Sequence, residues 1–110
     1  MPYDPSAVKI TVLKRTVNRE LVEAFARDPE SYGPCGRYVD GQEFILENPL
    51  DVPEGLCPWA WANMRRDILA LAAGASFPWY RQPGMGTGIC ADALRPVYFK
   101  IERLGAAQNP

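Results

Sequence analysis

Residues 54–74 read EGLCPWAWANMRRDILALAAG, and this stretch decides the fold. Proline is favoured at the first helical position, because its missing N–H would have no partner there anyway. A helix is therefore expected to begin at Pro58 with Cys57 as its cap. Trp61, Met64, Ile68 and Leu71 recur at three- and four-residue steps and make one apolar stripe. Asn63, Arg66 and Asp67 fall off it. Gly74 is the expected stop, since glycine accepts the left-handed conformation that ends helices. Trp61, on the stripe, reads as a core anchor. Trp59, off the stripe, reads either as core or as the lining of a pocket.

Upstream, Val8, Ile10 and Val12 alternate with polar neighbours, which predicts a half-buried strand over 8–17. Lys14-Arg15 reads as its solvated end. Asn18 is an N-cap candidate for a short amphipathic helix over 19–27, closed by Asp28-Pro29. Gly33-Pro34-Cys35-Gly36 is a loop. Asp40-Gly41 signals a turn, and 42–47 reads as a second strand with Phe44 and Leu46 inward. Downstream come the aromatic segment Phe77-Pro78-Trp79-Tyr80, a glycine run over 84–88 expected to be flexible, and a short strand over 87–90. The aromatic segment reads as a latch on the core or as a lid over a pocket. Val97, Phe99 and Ile101 alternate with Tyr98, Lys100 and Glu102 in the clearest strand of the chain.

These elements predict an α+β domain: a small, mainly antiparallel sheet of roughly three to five strands, packed by one long and one short helix. Its expected extent is 8–104, with flexible ends over 1–7 and 105–110. A chain of 110 residues is one domain, and 47% hydrophobic residues suffice for a core.

The charge balance of −1 offers no basic footprint for nucleic acid. No apolar run reaches the roughly 18 residues of a membrane span, and the first residues lack a signal-peptide pattern, so the cytoplasm is the expected compartment. The glycine run lacks the Gly-Lys-Ser/Thr ending of a phosphate-binding loop and does not match a dinucleotide fingerprint. The chain has no histidine, which excludes histidine-based triads and histidine-ligated metals within it. Acid–base work falls to Asp, Glu, Cys, Tyr or Lys. The three cysteines, Cys35, Cys57 and Cys90, are an odd set with long spacings, unlike a secreted disulfide framework.

The motif order KITVLKRTVN (9–18), GPCGRYVDGQEF (33–44), PEGLCPWAW (53–61), DILAL (67–71), Gly-x-x-Phe-Pro-Trp (74–79) and CADALRPVYFKIER (90–103) resembles a family of short prokaryotic proteins known only as an uncharacterised repeat family. The resemblance spans residues 8–104, and Pro-Glu-Gly-x-Cys-x-Trp-Ala-Trp is its most specific part. It implies a compact α+β domain, sometimes duplicated, and no established reaction. It also implies cysteines at the positions of Cys35, Cys57 and Cys90. Some members carry a further cysteine where this chain has Ile89, and some a histidine in the loop after the first cysteine, where this chain has none.

Three functions stay open. In the first, Cys35, Cys57 and Cys90 converge as thiolates on Zn(II) or Cu(I), with Asp92 as a candidate fourth ligand. In the second, the protein is a cofactor-free enzyme of isomerase, lyase or cyclase type. Trp59, Phe77, Trp79 and Tyr80 line its pocket. Cys57 is nucleophile or acid, favoured as thiolate by the positive end of the helix dipole. Asp92 is the base, and Arg95 anchors a small anionic or carbonyl-bearing substrate. The plain alternative for Asp92 and Arg95 is a loop ion pair, and for Cys57 an inert packing cysteine. In the third, the aromatics form an exposed patch for a partner or a second copy, which leaves homodimerisation open.

Overall fold

The computed structural model describes residues 4–105. Val8, Ile10 and Val12 are fully buried, and the residues between them are half-exposed. This period of two is the signature of a strand with one face on a core. That strand is β1, Val8–Arg15; β2 is Glu43–Leu46, β3 is Met85–Ile89 and β4 is Val97–Arg103. They form one antiparallel sheet in the order β2-β1-β4-β3. The long helix α2, Pro58–Ala72, packs on one face of it, and the short helix α1, Arg19–Phe25, follows β1. The architecture is α+β. Among the described residues no helix is long and apolar enough to cross a membrane.

The register explains how α2 fits. Phe44, Ile10, Ile101 and Gly86 stand side by side across the sheet, and so do Val12, Phe99 and Gly88. Both rows end in a glycine. A Cβ built on Gly88 would collide with Met64 of α2, and one on Gly86 would press on Leu71 and Phe77. Glycines therefore leave room for Met64 and Leu71 of the helix at the sheet edge. Residues 85–88 of the run expected to be flexible are thus strand, which starts two residues earlier than the expected 87 and follows Gly84 in a turn. Against these rows α2 sets Ala60, Met64, Ile68, Leu71 and Ala72, all buried, with Trp61 half-buried beside them.

The ends of α2 follow local chemistry. Cys57 is the N-cap and Pro58 the first helical residue, as expected. Gly74 takes φ 111° after the last turn. The terminal carbonyls find a partner from another element: Arg103 Nη1 donates to Leu71 O at 2.9 Å and Ala75 O at 2.8 Å.

Four expectations are corrected. β1 ends at Arg15, with a register shift between Val12 and Lys14 that leaves Leu13 exposed. Arg15 is no solvated strand end, because its guanidinium is spent on Asp40 and the Cys35 carbonyl. The helix α1 ends at Phe25, short of the expected 27, and of its residues only Val22 is buried, outside the main core. The chain is tied down before Val8, since Ser6 is buried and its N–H donates to Ala72 O at 2.9 Å. Residues 1–3 and 106–110 of the expected flexible ends lie outside the described residues.

A candidate thiol cleft at the mouth of the central helix

Three chain segments meet at the N-terminus of α2. The first is the loop 33–38, which brings Cys35, Arg37 and Tyr38. The second is the helix start with Cys57 and Trp59. The third is the β3–β4 connection with Cys90, Asp92 and Arg95. Together with Val97 they line a cleft of about 200 Å³. Drug-sized pockets run to roughly 300–1,000 Å³, so this one suits a small molecule.

Each segment is held by identifiable bonds. Arg15 reaches from β1 to pin the first loop, with Nη1 on Cys35 O at 3.2 Å and Nε on Asp40 Oδ1 at 2.9 Å. Tyr38 is buried edge-on between Phe44 and Phe99, with ring centroids 5.9 and 5.6 Å away. Its hydroxyl accepts the Cys57 backbone N–H at 2.9 Å. Burial raises its pKa above the ordinary 10.0. The third segment is closed by a reciprocal pair: Cys90 N donates to Val97 O at 3.1 Å, and Val97 N donates to Cys90 Sγ at 3.3 Å.

The Asp92 carboxylate serves its own loop first. Oδ1 accepts the N–H of Leu94 at 2.9 Å and that of Arg95 at 3.3 Å, which is an Asx turn. Oδ2 faces Arg95 Nε at 3.6 Å. The Arg95 guanidinium also lies over the Tyr32 ring, 5.6 Å from its centroid. The loop ion pair of the plain reading is therefore present, and it faces the cleft. Two guanidinium groups, Arg37 and Arg95, stand on the lining against one carboxylate, which favours an anion.

The three thiols differ in their engagement. Cys90 Sγ takes a backbone N–H. Cys57 Sγ caps none of the first-turn N–H groups, although the residue is the N-cap. All three cysteines are free and half-buried.

Phe77, Trp79 and Tyr80 do not line this cleft. They wrap the β3 edge. Phe77 reaches under Gly86 to the core, Trp79 stacks on Phe77 at 5.4 Å, and Tyr80 OH meets Thr87 Oγ1 at 2.6 Å. Gly86 and Gly88 face α2 while Thr87 faces the other side, so the segment straddles the strand as a latch. Tyr38 and Arg37 were not singled out from the sequence. Tyr38 lies in a loop with no helical or strand period, and nothing local shows that it will reach Cys57.

Among the described residues no three Cys, Asp or Glu side chains are grouped so that they could hold one metal ion. The shared cleft does not make the three thiols a ligand set as they stand. No family model, no curated protein and no solved structure matches this chain significantly.

Proposed function

We propose that the cleft is the active site of a small cofactor-free enzyme, of isomerase, lyase or cyclase type, acting on a small anionic or carbonyl-bearing molecule. The observation that carries this reading is the convergence of Cys57, Asp92 and Arg95 on one cleft, from segments far apart in the chain. Arg95, seconded by Arg37, anchors the anionic group of the substrate. Asp92 Oδ2 is the carboxylate oxygen left to take the proton alpha to the carbonyl, whose C–H pair moves into the enolate, since Oδ1 is engaged by two backbone N–H groups. The Tyr38 phenol, on the cleft lining, hydrogen-bonds the carbonyl oxygen, where the negative charge of the enolate collects. Cys57 is the acid: its thiol returns a proton to the carbon of the enolate that Asp92 forms, and both groups are reset by proton exchange with solvent.

Alkylation kinetics test this assignment. Iodoacetate and neutral iodoacetamide are compared on the wild type, on the three single Cys→Ser variants and on Arg95→Ala. Cys57 is expected to be the fastest thiol, with a preference for iodoacetate beyond that of a free thiol, reduced several-fold in Arg95→Ala. Catalysis is read separately, as solvent-deuterium exchange into a panel of small 2-oxo acids that disappears in Cys57→Ser and Asp92→Asn. Three equally slow thiols, indifferent to reagent charge, together with no exchange in any acid, would discard the reading.

A further inference from the structure

Trp59 is 65% exposed, although it belongs to the first turn of the helix that carries the core stripe. A large apolar side chain left in water at this place calls for an occupant. Its indole borders the thiol cleft on one side. On the other side it borders a shallow groove with Ala62, Asn63 and Ala91. The cleft and the groove are therefore continuous across one ring. The one polar side chain of the groove is turned in part to the backbone, since Asn63 Nδ2 donates to Ile89 O at 2.8 Å. What the groove offers is mainly apolar, two alanines and Trp59, beside the Asn63 amide. Such a surface favours a flat apolar body and gives nothing to a second charge.

We infer that the ligand of the cleft is a small aromatic anion. Its anionic group lies between Arg37 and Arg95, and its ring extends out of the cleft onto Trp59. Trp59 is then the residue that selects substrates with a ring over their short aliphatic counterparts. This rests on the cleft being the binding site, as proposed above, and adds the class of molecule it takes. The 200 Å³ of the cleft house the anionic head, and the groove houses what would not fit.

The test is a pair of probes that differ only in the ring, phenylphosphonate and methylphosphonate. Both are titrated into the full chain while the Cys57 backbone amide and the Trp59 indole N–H are followed by NMR. The expected result is that phenylphosphonate shifts both signals and binds about three- to tenfold more tightly, the range of an aromatic contact. Trp59→Ala should erase that difference, weakening phenylphosphonate several-fold more than methylphosphonate; the exposed position makes the variant safe to fold. Equal affinities with an unmoved indole would overturn the platform while leaving the cleft in place. Phenylphosphonate that shifts the indole alone would make the groove an independent apolar patch, and would overturn the inference. If neither probe moves the Cys57 amide or the indole, the anion site itself fails, and the platform with it.

Discussion

The hydroxyl of Tyr38 accepts the backbone N–H of Cys57 at 2.9 Å, so a phenol from the loop before β2 satisfies the N-cap of α2. The helix start leaves such donors without intrahelical partners. Tyr38→Phe keeps the ring between Phe44 and Phe99 and removes only the acceptor. It is expected to cost about 1–3 kcal/mol in urea unfolding, the range for a donor left without its partner. Hydrogen exchange at the Cys57 amide should accelerate in the same variant. A change within error in both measurements would show that water replaces the phenol at no cost.

Tyr38 and Tyr80 should titrate at opposite ends of the tyrosine range. Burial raises Tyr38 above the ordinary 10.0. The hydrogen bond from Thr87 stabilises the Tyr80 phenolate and lowers that group. In the ultraviolet titration of the folded protein, Tyr80→Phe is expected to remove an early step and Tyr38→Phe a late one. The stability signs follow. Below pH 10 the folded and unfolded chains both hold the Tyr38 proton; above it the unfolded chain releases it first, so the Tyr38 contribution declines as pH rises toward its folded value. The Tyr80 contribution has the reverse sense: it is present above pH 10 and lost as pH falls through the lowered folded value.

Gly88→Ala tests the close approach of α2 to β3. The new Cβ would meet Met64 Sδ, and would come within 2.6 Å of Met64 Cγ. Met64 is buried and has little room to move aside. The substitution should destabilise the protein by about 1–3 kcal/mol, the usual cost of overpacking a core. The measurement is chemical denaturation. Met64→Ala in the Gly88→Ala background should relieve the clash, so that the double variant is less destabilised than the sum of the two single ones.

Arg103→Ala should fray the far end of α2. Its guanidinium bridges Leu71 O and Ala75 O, joining the end of β4 to the last turn of the helix. The expected loss is about 1–2 kcal/mol, at the lower end for bonds from a charged group because one of the two is solvent-exposed. Lysine should recover only part of it, since a single ammonium cannot reproduce the planar fork. Faster hydrogen exchange confined to the last turn of α2 would identify the origin; an unchanged turn would contradict it.

Elements that carry their own period were legible. The alternation in 8–12 and 97–101, the inward Phe44 and Leu46, and the stripe from Met64 to Leu71 all appear as expected. The strand over 85–89 was harder to read, because glycine has no side chain to show an alternation. Its strand character comes from pairing with β4, and its glycines are explained only by the helix above them. The aromatic segment 77–80, read as a latch or a lid and as pocket lining, packs Phe77 on the core and lies away from the thiol cleft. A run of rings in a loop states its own hydrophobicity but not which surface it will cover. Asp92 and Arg95 were paired correctly, since three residues in one loop leave them few other neighbours.

The sequence by itself determined the local chemistry of this chain: where the periodic strands and helices form, that Pro58 opens α2 under a Cys57 cap, that Gly74 closes it, and that the chain supplies no histidine. These depend on residue type and on periods of two or three to four, which short stretches contain in full. Only the tertiary structure decided the strand order, the side of the sheet that α2 covers, and the meeting of Cys35, Cys57 and Cys90 with Arg37, Tyr38 and Arg95 in one cleft. Those outcomes depend on contacts between residues far apart in the chain, where the free energy of packing α2 onto β1, β3 and β4 selects one arrangement. The cleft is a by-product of that packing, formed where the loops at the mouth of the helix are left to face each other.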